Sequence, residues 1–319
     1  MKRLLFPLLV LAGLWGLNWL LGSYLNPYYL QILVYIGINM VLATSLNLIN
    51  GYTGQFNLGH AGFMAVGAYA SAAFSVYFHP ALRAALGFIP EAALTPLLFL
   101  LSLAFGGLLA LIAGLAIGLP TLRLRGDYLA IATLGFGEIV LVIIYNMDVV
   151  GGARGFADIP AYADFFWVFA FAALTLWVVG RMTRASKGLA FLAVREDEIA
   201  TVSLGISNTR AKVTAFAIGA FFAGLGGGLY AHYLNYLHVN SFSFLKSVEL
   251  VVMVVLGGMG NLWGVVAAAA LLTILPEGLR GFAEWRMILY SLLIIVTMLL
   301  RSKGISWKFW SRKPAGSEA

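Results

Sequence analysis

Between Leu4 and Leu300 the sequence is a series of apolar blocks, most of them near the ~20 residues that an α-helix needs to cross a bilayer. Seven blocks are clear: Leu4 to Leu25, Tyr28 to Ile49, Leu58 to Phe78, Ala92 to Leu119, Tyr128 to Tyr145, Phe165 to Gly180 and Val213 to Leu237. In lipid such runs fold as helices, because each backbone N–H and C=O must find its partner inside the segment. From Val248 to Leu300 the pattern divides either into two long spans or into three shorter ones, Val248 to Gly258, Leu262 to Leu279 and Met287 to Leu300. Composition points the same way. The chain is 61% hydrophobic and 10% charged, against roughly half and a quarter in a soluble domain. A soluble enzyme, a nucleic-acid-binding domain and a disordered tail are thereby excluded.

The few charges set the orientation. Arg181, Arg184, Lys187, Arg195, Arg210 and Lys212 fall in one loop, and Arg301, Lys303, Lys308, Arg312 and Lys313 in the C-terminal tail. Basic residues in short loops mark the cytoplasmic side, so both belong there and an even number of crossings separates them. Four crossings therefore follow the loop, giving ten spans with both termini cytoplasmic. Fifteen of the 20 Lys and Arg then lie inside. Eight spans is the alternative if Val248 to Gly258 and its neighbour form a re-entrant hairpin. The N-terminal apolar run exceeds a signal h-region and lacks a small-residue cleavage site, so it reads as a retained first span. The expectation is an all-α, polytopic transmembrane bundle: a membrane domain over residues 1–300, with a cytoplasmic loop at 181–212 and a basic tail at 301–319. Anchoring at the anionic lipid surface explains that tail, with its Trp307, Phe309 and Trp310, and the net charge of +7 requires no nucleic-acid partner.

Two glycine-rich runs interrupt the apolar blocks, Gly51 to Gly62 and Gly257 to Gly264. Irregular backbone at membrane depth survives only when buried in protein or facing water. The first run also carries Gln55, Asn57 and His60. Asn39 and Asn47, eight apart, share nearly one face of the second span with Thr44 beside them. Glu138 alone among the ionisable residues lies well inside a clear span, where a carboxylate is costly. Asn39, Asn47, Gln55, Asn57, His60 and Glu138 are therefore the candidate pathway residues; the alternative is that they bond helix to helix, and that the glycine runs are interhelical turns. Gly224 and Gly228 form a small-xxx-small face suited to close packing. Cysteine is absent and the four histidines lack metal-ligand spacing, so no metal, cofactor or catalytic residue is expected.

The loop 181–212 reads as one short amphipathic helix. Ser186 can cap its start, Leu189, Leu192, Ala193, Ile199, Ala200 and Leu204 recur at helical spacing, and Gly205 stands at a C-terminal stop. The charges Arg195 to Glu198 favour docking to a protein over resting on lipid.

Here the sequence resembles a family. The segment Arg195 to Ile206 looks like the cytoplasmic coupling segment of binding-protein-dependent ABC importer permeases. Ser45 to Phe63, Leu122 to Glu138 and Val254 to Gly264 extend the likeness to the permeases of branched-chain amino acid importers. The resemblance covers about residues 30 to 300. It implies a subunit of the bacterial cytoplasmic (inner) membrane that pairs with a similar second permease. It also implies two cytoplasmic ATPases as partners and an extracytoplasmic binding protein that delivers substrate. Arg195, Glu196 and Glu198 are then expected as polar contacts to the ATPases, with Ala200 and Gly205 permitting close approach. No G-x-x-x-x-G-K-[ST] phosphate loop occurs, so the energy of ATP has to come from a partner chain. Urea, short amides or other amino acids are the alternative substrates within that class. An ion-coupled secondary transporter is the alternative outside it, with Glu138 as its ion site; a channel lacks a ring-forming polar repeat.

Overall fold

A computed structural model describes residues 2–279 except 88, 122, 123 and 125, together with 291, 292 and 295. Apart from those last three positions, the expected tenth span, Met287 to Leu300, and the tail from Arg301 lie outside the described residues.

Among the described residues the chain is all α. The helices are α1 (Lys2–Tyr24), α2 (Pro27–Asn47), α3 (His60–Ala85), α4 (Glu91–Thr121), α5 (Asp127–Tyr145), α6 (Phe165–Arg184), α7 (Ser186–Glu196), α8 (Glu198–Ser203), α9 (Asn208–Leu234), α10 (Phe244–Gly257) and α11 (Leu262–Gly278). Seven segments are long and apolar enough to cross a membrane: Pro27–Tyr52, α3, α4, α5, α6, α9 and Val239–Gly257. The 23-residue α1 and the 17-residue α11 flank them.

Contacts between loops sort these elements into two ends. At one, Arg195 reaches the carbonyl of Gly51 and the N–H of Gly260 meets Asn47. At the other, Asn18 of α1 donates to Asp164 at the start of α6, Tyr28 of α2 bonds Glu277 of α11, and Phe156 pairs with Leu237 in a two-residue antiparallel bridge. The spans therefore alternate in direction. The first end carries α7, α8 and their basic residues and is the cytoplasmic one. The turn between α10 and α11 sits at that end while Glu277 reaches the other, so α11 runs back across the bundle.

α9 is the axis of the packing. Its apolar stretch is 72% buried inside the protein, near the 78% of Pro27–Tyr52 and far above the 28% of α5 and α6. Helices in lipid gain little from hydrophobic association and depend on close van der Waals approach, which small residues permit. Gly226 lies against Leu42 of α2, Gly227 against the Met64 carbonyl of α3, and Gly228 against Ser71 and Leu103. Gly224 meets Gly67 of α3 on one side and Gly106, Gly107 and Ala110 of α4 on the other. At Gly67 and Gly224 the two backbones touch. The apolar side chains of the outer helices, among them Leu108 and Ile112 of α4 and Trp177 of α6, are exposed and suit a lipid surround.

A Cβ at Gly227 would collide with the Met64 carbonyl oxygen, a backbone atom that cannot swing aside. Gly227→Ala is expected to cost at least about 1–3 kcal/mol through overpacking and to lower the melting temperature in detergent. Gly16→Ala, whose Cβ meets nothing within 4 Å, should leave it unchanged or raised.

Candidate functional site

The cytoplasmic face is built from α7 and α8. The single helix expected there is two, because Asp197 leaves helical geometry at φ −155° and its Oδ1 accepts from the N–H groups of Ile199 at 2.7 Å and Ala200 at 3.1 Å. An aspartate so placed starts a helix rather than continuing one. Ser186 does not cap α7 either. It is the first helical residue, and Ala185 before it makes no capping bond. The stop stands where the sequence places it: Gly205, at φ +77°, donates to Val202 at 2.9 Å, and Ile206 donates to Thr201 at 3.2 Å, the paired bonds of a Schellman ending.

The break at Asp197 resets the helical phase. Phe191 and Val194 anchor α7 against Leu48, Val179, Ala211 and Ala215. Ile199, Val202 and Leu204 turn outward instead and are 74%, 60% and 76% exposed. The stripe read from the sequence missed this inward face, since its Leu189 is 66% exposed, but the break was legible. The signal was Asp197 followed by Glu198, an internal cap with an acidic first turn.

The charged residues divide in the same way. Arg195 turns inward, its Nη1 donating to the Gly51 carbonyl at 3.0 Å while its Nε and Nη2 bond Glu196 Oε1 at 3.0 and 2.5 Å. Glu198 accepts from Lys212 Nζ at 2.5 Å, and Lys212 is 6% exposed. Glu196, Ala200 and Gly205 are on the surface. A cleft of about 540 Å³ opens beside them, lined by Gln55, Asp127, Glu196 and Lys212 among others.

Of the six candidate pathway residues, four are buried in contacts with other parts of the chain. Asn39 donates to Thr273 at 2.9 Å and accepts from Lys246 at 3.1 Å. Asn47 accepts from the Gly260 N–H at 2.9 Å. Asn57 accepts from the Gly59 N–H at 2.8 Å, and its own N–H donates to Asn50 at 3.1 Å. His60 Nε2 lies 2.8 Å from Ser45 Oγ. Gln55 is buried yet borders the cytoplasmic cleft. The first glycine run holds a π turn, Leu48–Tyr52, followed by irregular backbone up to α3. The second is a four-residue turn, closed by Asn261 accepting from the Gly264 N–H at 3.2 Å.

Glu138 is different: it is exposed, on a face of α5 that also carries Ile131, Val142 and Tyr145. It lines an open groove of about 200 Å³ with Leu141, Val142, Tyr145, Val239, Asn240 and Ser243. The depth of that groove follows from α10. Lys246, in its first turn, bonds Asn39, which lies twelve residues along α2 from Pro27, about 18 Å at 1.5 Å per residue. α10 thus starts at membrane depth, and the irregular segment leading to it, with the short helix Val239–Phe242, forms one wall of the groove. Irregular backbone at that depth requires protein or water beside it. This segment carries no glycine run, which is why it escaped the sequence reading.

The family model for the branched-chain amino acid transport system permease component matches residues 28–300. The high-affinity branched-chain amino acid transport system permease protein LivM of Salmonella typhimurium LT2 is 35% identical over 339 residues, covering 95% of this chain and 74% of the relative. The protein of the same name from Escherichia coli K12 shows the same identity and coverage. A probable branched-chain amino acid transport permease protein LivM from Methanocaldococcus jannaschii is 28% identical over 263 residues, 74% of this chain and 76% of the relative. No solved structure matches the chain.

Glu198 neutralises a buried lysine, whereas Glu196 is 70% exposed at its side chain. Glu198→Gln should therefore lower stability by about 1–3 kcal/mol, the cost of an ill-satisfied buried group, and Glu196→Gln by much less. Thermal melts of the two variants check this, and equal melting temperatures would contradict it.

Proposed function

The chain belongs to the family of branched-chain amino acid transport system permease components, and from that premise we propose that it carries branched-chain amino acids inward through the cytoplasmic (inner) membrane as one permease of an ATP-driven importer. In this reading a second permease completes the pathway, two cytoplasmic ATPases supply the energy, and an extracytoplasmic binding protein delivers the substrate. The names of the relatives support the substrate class. The absence of a phosphate loop from the sequence supports the dependence on separate ATPases.

The observation that carries the coupling role is the apolar ridge of Ile199, Val202 and Leu204 on the cytoplasmic face, held rigid by the Asp197 cap and the Glu198–Lys212 pair. An exposed apolar ridge rimmed by polar residues marks a protein contact. Here its occupant is the ATPase, and closure of the ATPases on ATP moves α8 as a rigid body. Glu196, Ala200 and Gly205 border the ridge and complete the contact. The polar contacts expected of Arg195 and Glu198 are replaced in this reading by bonds inside the chain.

The pathway runs along α5. Its Glu138 face is unpartnered among the described residues, and a carboxylate facing lipid is costly, so the second permease and a water-filled path between the two cover it. Glu138 attracts the substrate ammonium, while Leu141, Val142 and Val239 meet an aliphatic side chain. Asn39, Asn47, Asn57 and His60 frame the pathway by holding the broken helices in place.

Ile199→Glu combined with Val202→Glu is expected to abolish copurification of the ATPases while leaving the permease folded, as read by pull-down and melting temperature; retained ATPase would contradict the docking face. Glu138→Gln should lower uptake of leucine about tenfold or more, the scale of one lost charge-assisted contact, with assembly intact. Uptake at the unchanged rate would remove Glu138 from the pathway.

A further inference from the structure

The two glycine runs lie about 200 residues apart in sequence, yet they meet in the fold, and one side chain of the cytoplasmic segment holds them together. Asn47, at the end of α2, accepts from the Gly260 N–H at 2.9 Å. Gly51, inside the π turn, fits so closely that a Cβ there would strike both Asn47 Oδ1 and the Gly260 nitrogen. Arg195 closes the cluster from the cytoplasmic side. Its Nη1 donates to the Gly51 carbonyl, and a Cβ on Gly260 would come to 3.0 Å from that same nitrogen. The arginine stem is equally constrained, since a Cβ on Gly54 would lie 2.7 Å from Arg195 Cγ. Glu196 takes the Nε and Nη2 protons and so aims the remaining Nη1 at Gly51.

We propose that Arg195 is the positioning residue through which movement of α7 and α8 reaches the spans, by its bond to the π turn of α2 and, through Gly51 and Asn47, to the turn between α10 and α11. The proposal rests on the coupling role argued above and assigns Arg195 a different part in it from the ATPase-facing ridge. Its physical basis is the kind of backbone that Arg195 holds. A π turn is one register step from ordinary α-helix, and such turns are concentrated at functional positions. The α10–α11 turn beside it ends α10, and Ser243, which caps the other end of that helix, lines the Glu138 groove. Arg195 is the penultimate residue of α7, next to the break at Asp197. A tilt of α8 about that break pulls on the guanidinium first. Guanidinium suits the task because its planar fork bonds Glu196 and Gly51 together; an ammonium does not keep that geometry.

The test uses the assembled complex of both permeases, the ATPases and the binding protein in proteoliposomes. Arg195→Gln is expected to copurify with the ATPases and to hydrolyse ATP, while leucine imported per ATP falls about tenfold or more, within the range of allosteric coupling. Arg195→Lys should recover only part of the loss. Asn47→Ala, which opens the far side of the clamp without touching the cytoplasmic face, should show the same uncoupling. Loss of ATPase copurification in Arg195→Gln would make Arg195 a docking contact and overturn the proposal, as would full transport per ATP. If Arg195→Gln fails to assemble for want of folding, Asn47→Ala decides, and coupled transport in that variant overturns the proposal. A wild-type complex that neither retains the ATPases nor responds to ATP overturns the importer reading and this proposal with it.

Discussion

Backbone contact between α9 and its neighbours is the constraint on which the other features depend. Lipid offers no hydrophobic gain for burying one helix against another, so the bundle holds where chains approach closely enough for dispersion and polar contacts to accumulate. Gly224 against Gly67, and Gly227 against Met64, set the spacing of α9, α3 and α4. Ser71 and Ser75 of α3 then come within 3.2 and 3.1 Å of His232 Nε2 on α9, and Ser102 of α4 within 3.4 Å. With that core fixed, α2 packs on α9 through Gly219 and Gly226, and its broken end is presented to the cytoplasmic segment.

The molecule divides into a close-packed part and an exposed part, and the proposed sites fall at their boundary. α2, α3 and α9 are mostly enclosed by protein, whereas α5 shows most of its surface and carries on it Glu138, a carboxylate well inside a membrane-length segment. The cytoplasmic segment repeats the division on a smaller scale. Phe191, Val194 and Lys212 are buried against the spans, and Ile199, Val202 and Leu204 are left bare. A permease that must move needs both parts: a frame that does not yield and a surface that meets partners.

Periodicity and charge made much of this legible. The ends of α2, α3, α4, α5, α6 and α9 fall close to the apolar blocks, since the length of an apolar run and the cost of charge in lipid are both local properties of sequence. The glycine stop at Gly205 was also local and readable. The partners of buried polar groups were not, because Asn39 with Thr273 and Asn47 with Gly260 are separated by 234 and 213 residues. Nothing near Asn47 distinguishes a residue that lines a pathway from one that clamps a turn. The start of α10 at membrane depth was hidden for the same reason, being set by the distant bond from Lys246 to Asn39. Asp197 was a local signal overlooked in favour of a continuous helical pattern.

On the proposed reading the chain is a membrane subunit that acts together with separate ATPases. The most direct measurement is leucine uptake into proteoliposomes holding this chain and the second permease, with binding protein outside, compared with and without the ATPases and ATP inside. The account predicts uptake only when ATPases and ATP are both present, and none from a sodium or proton gradient alone. Gradient-driven uptake by the permeases in the absence of the ATPases would contradict it.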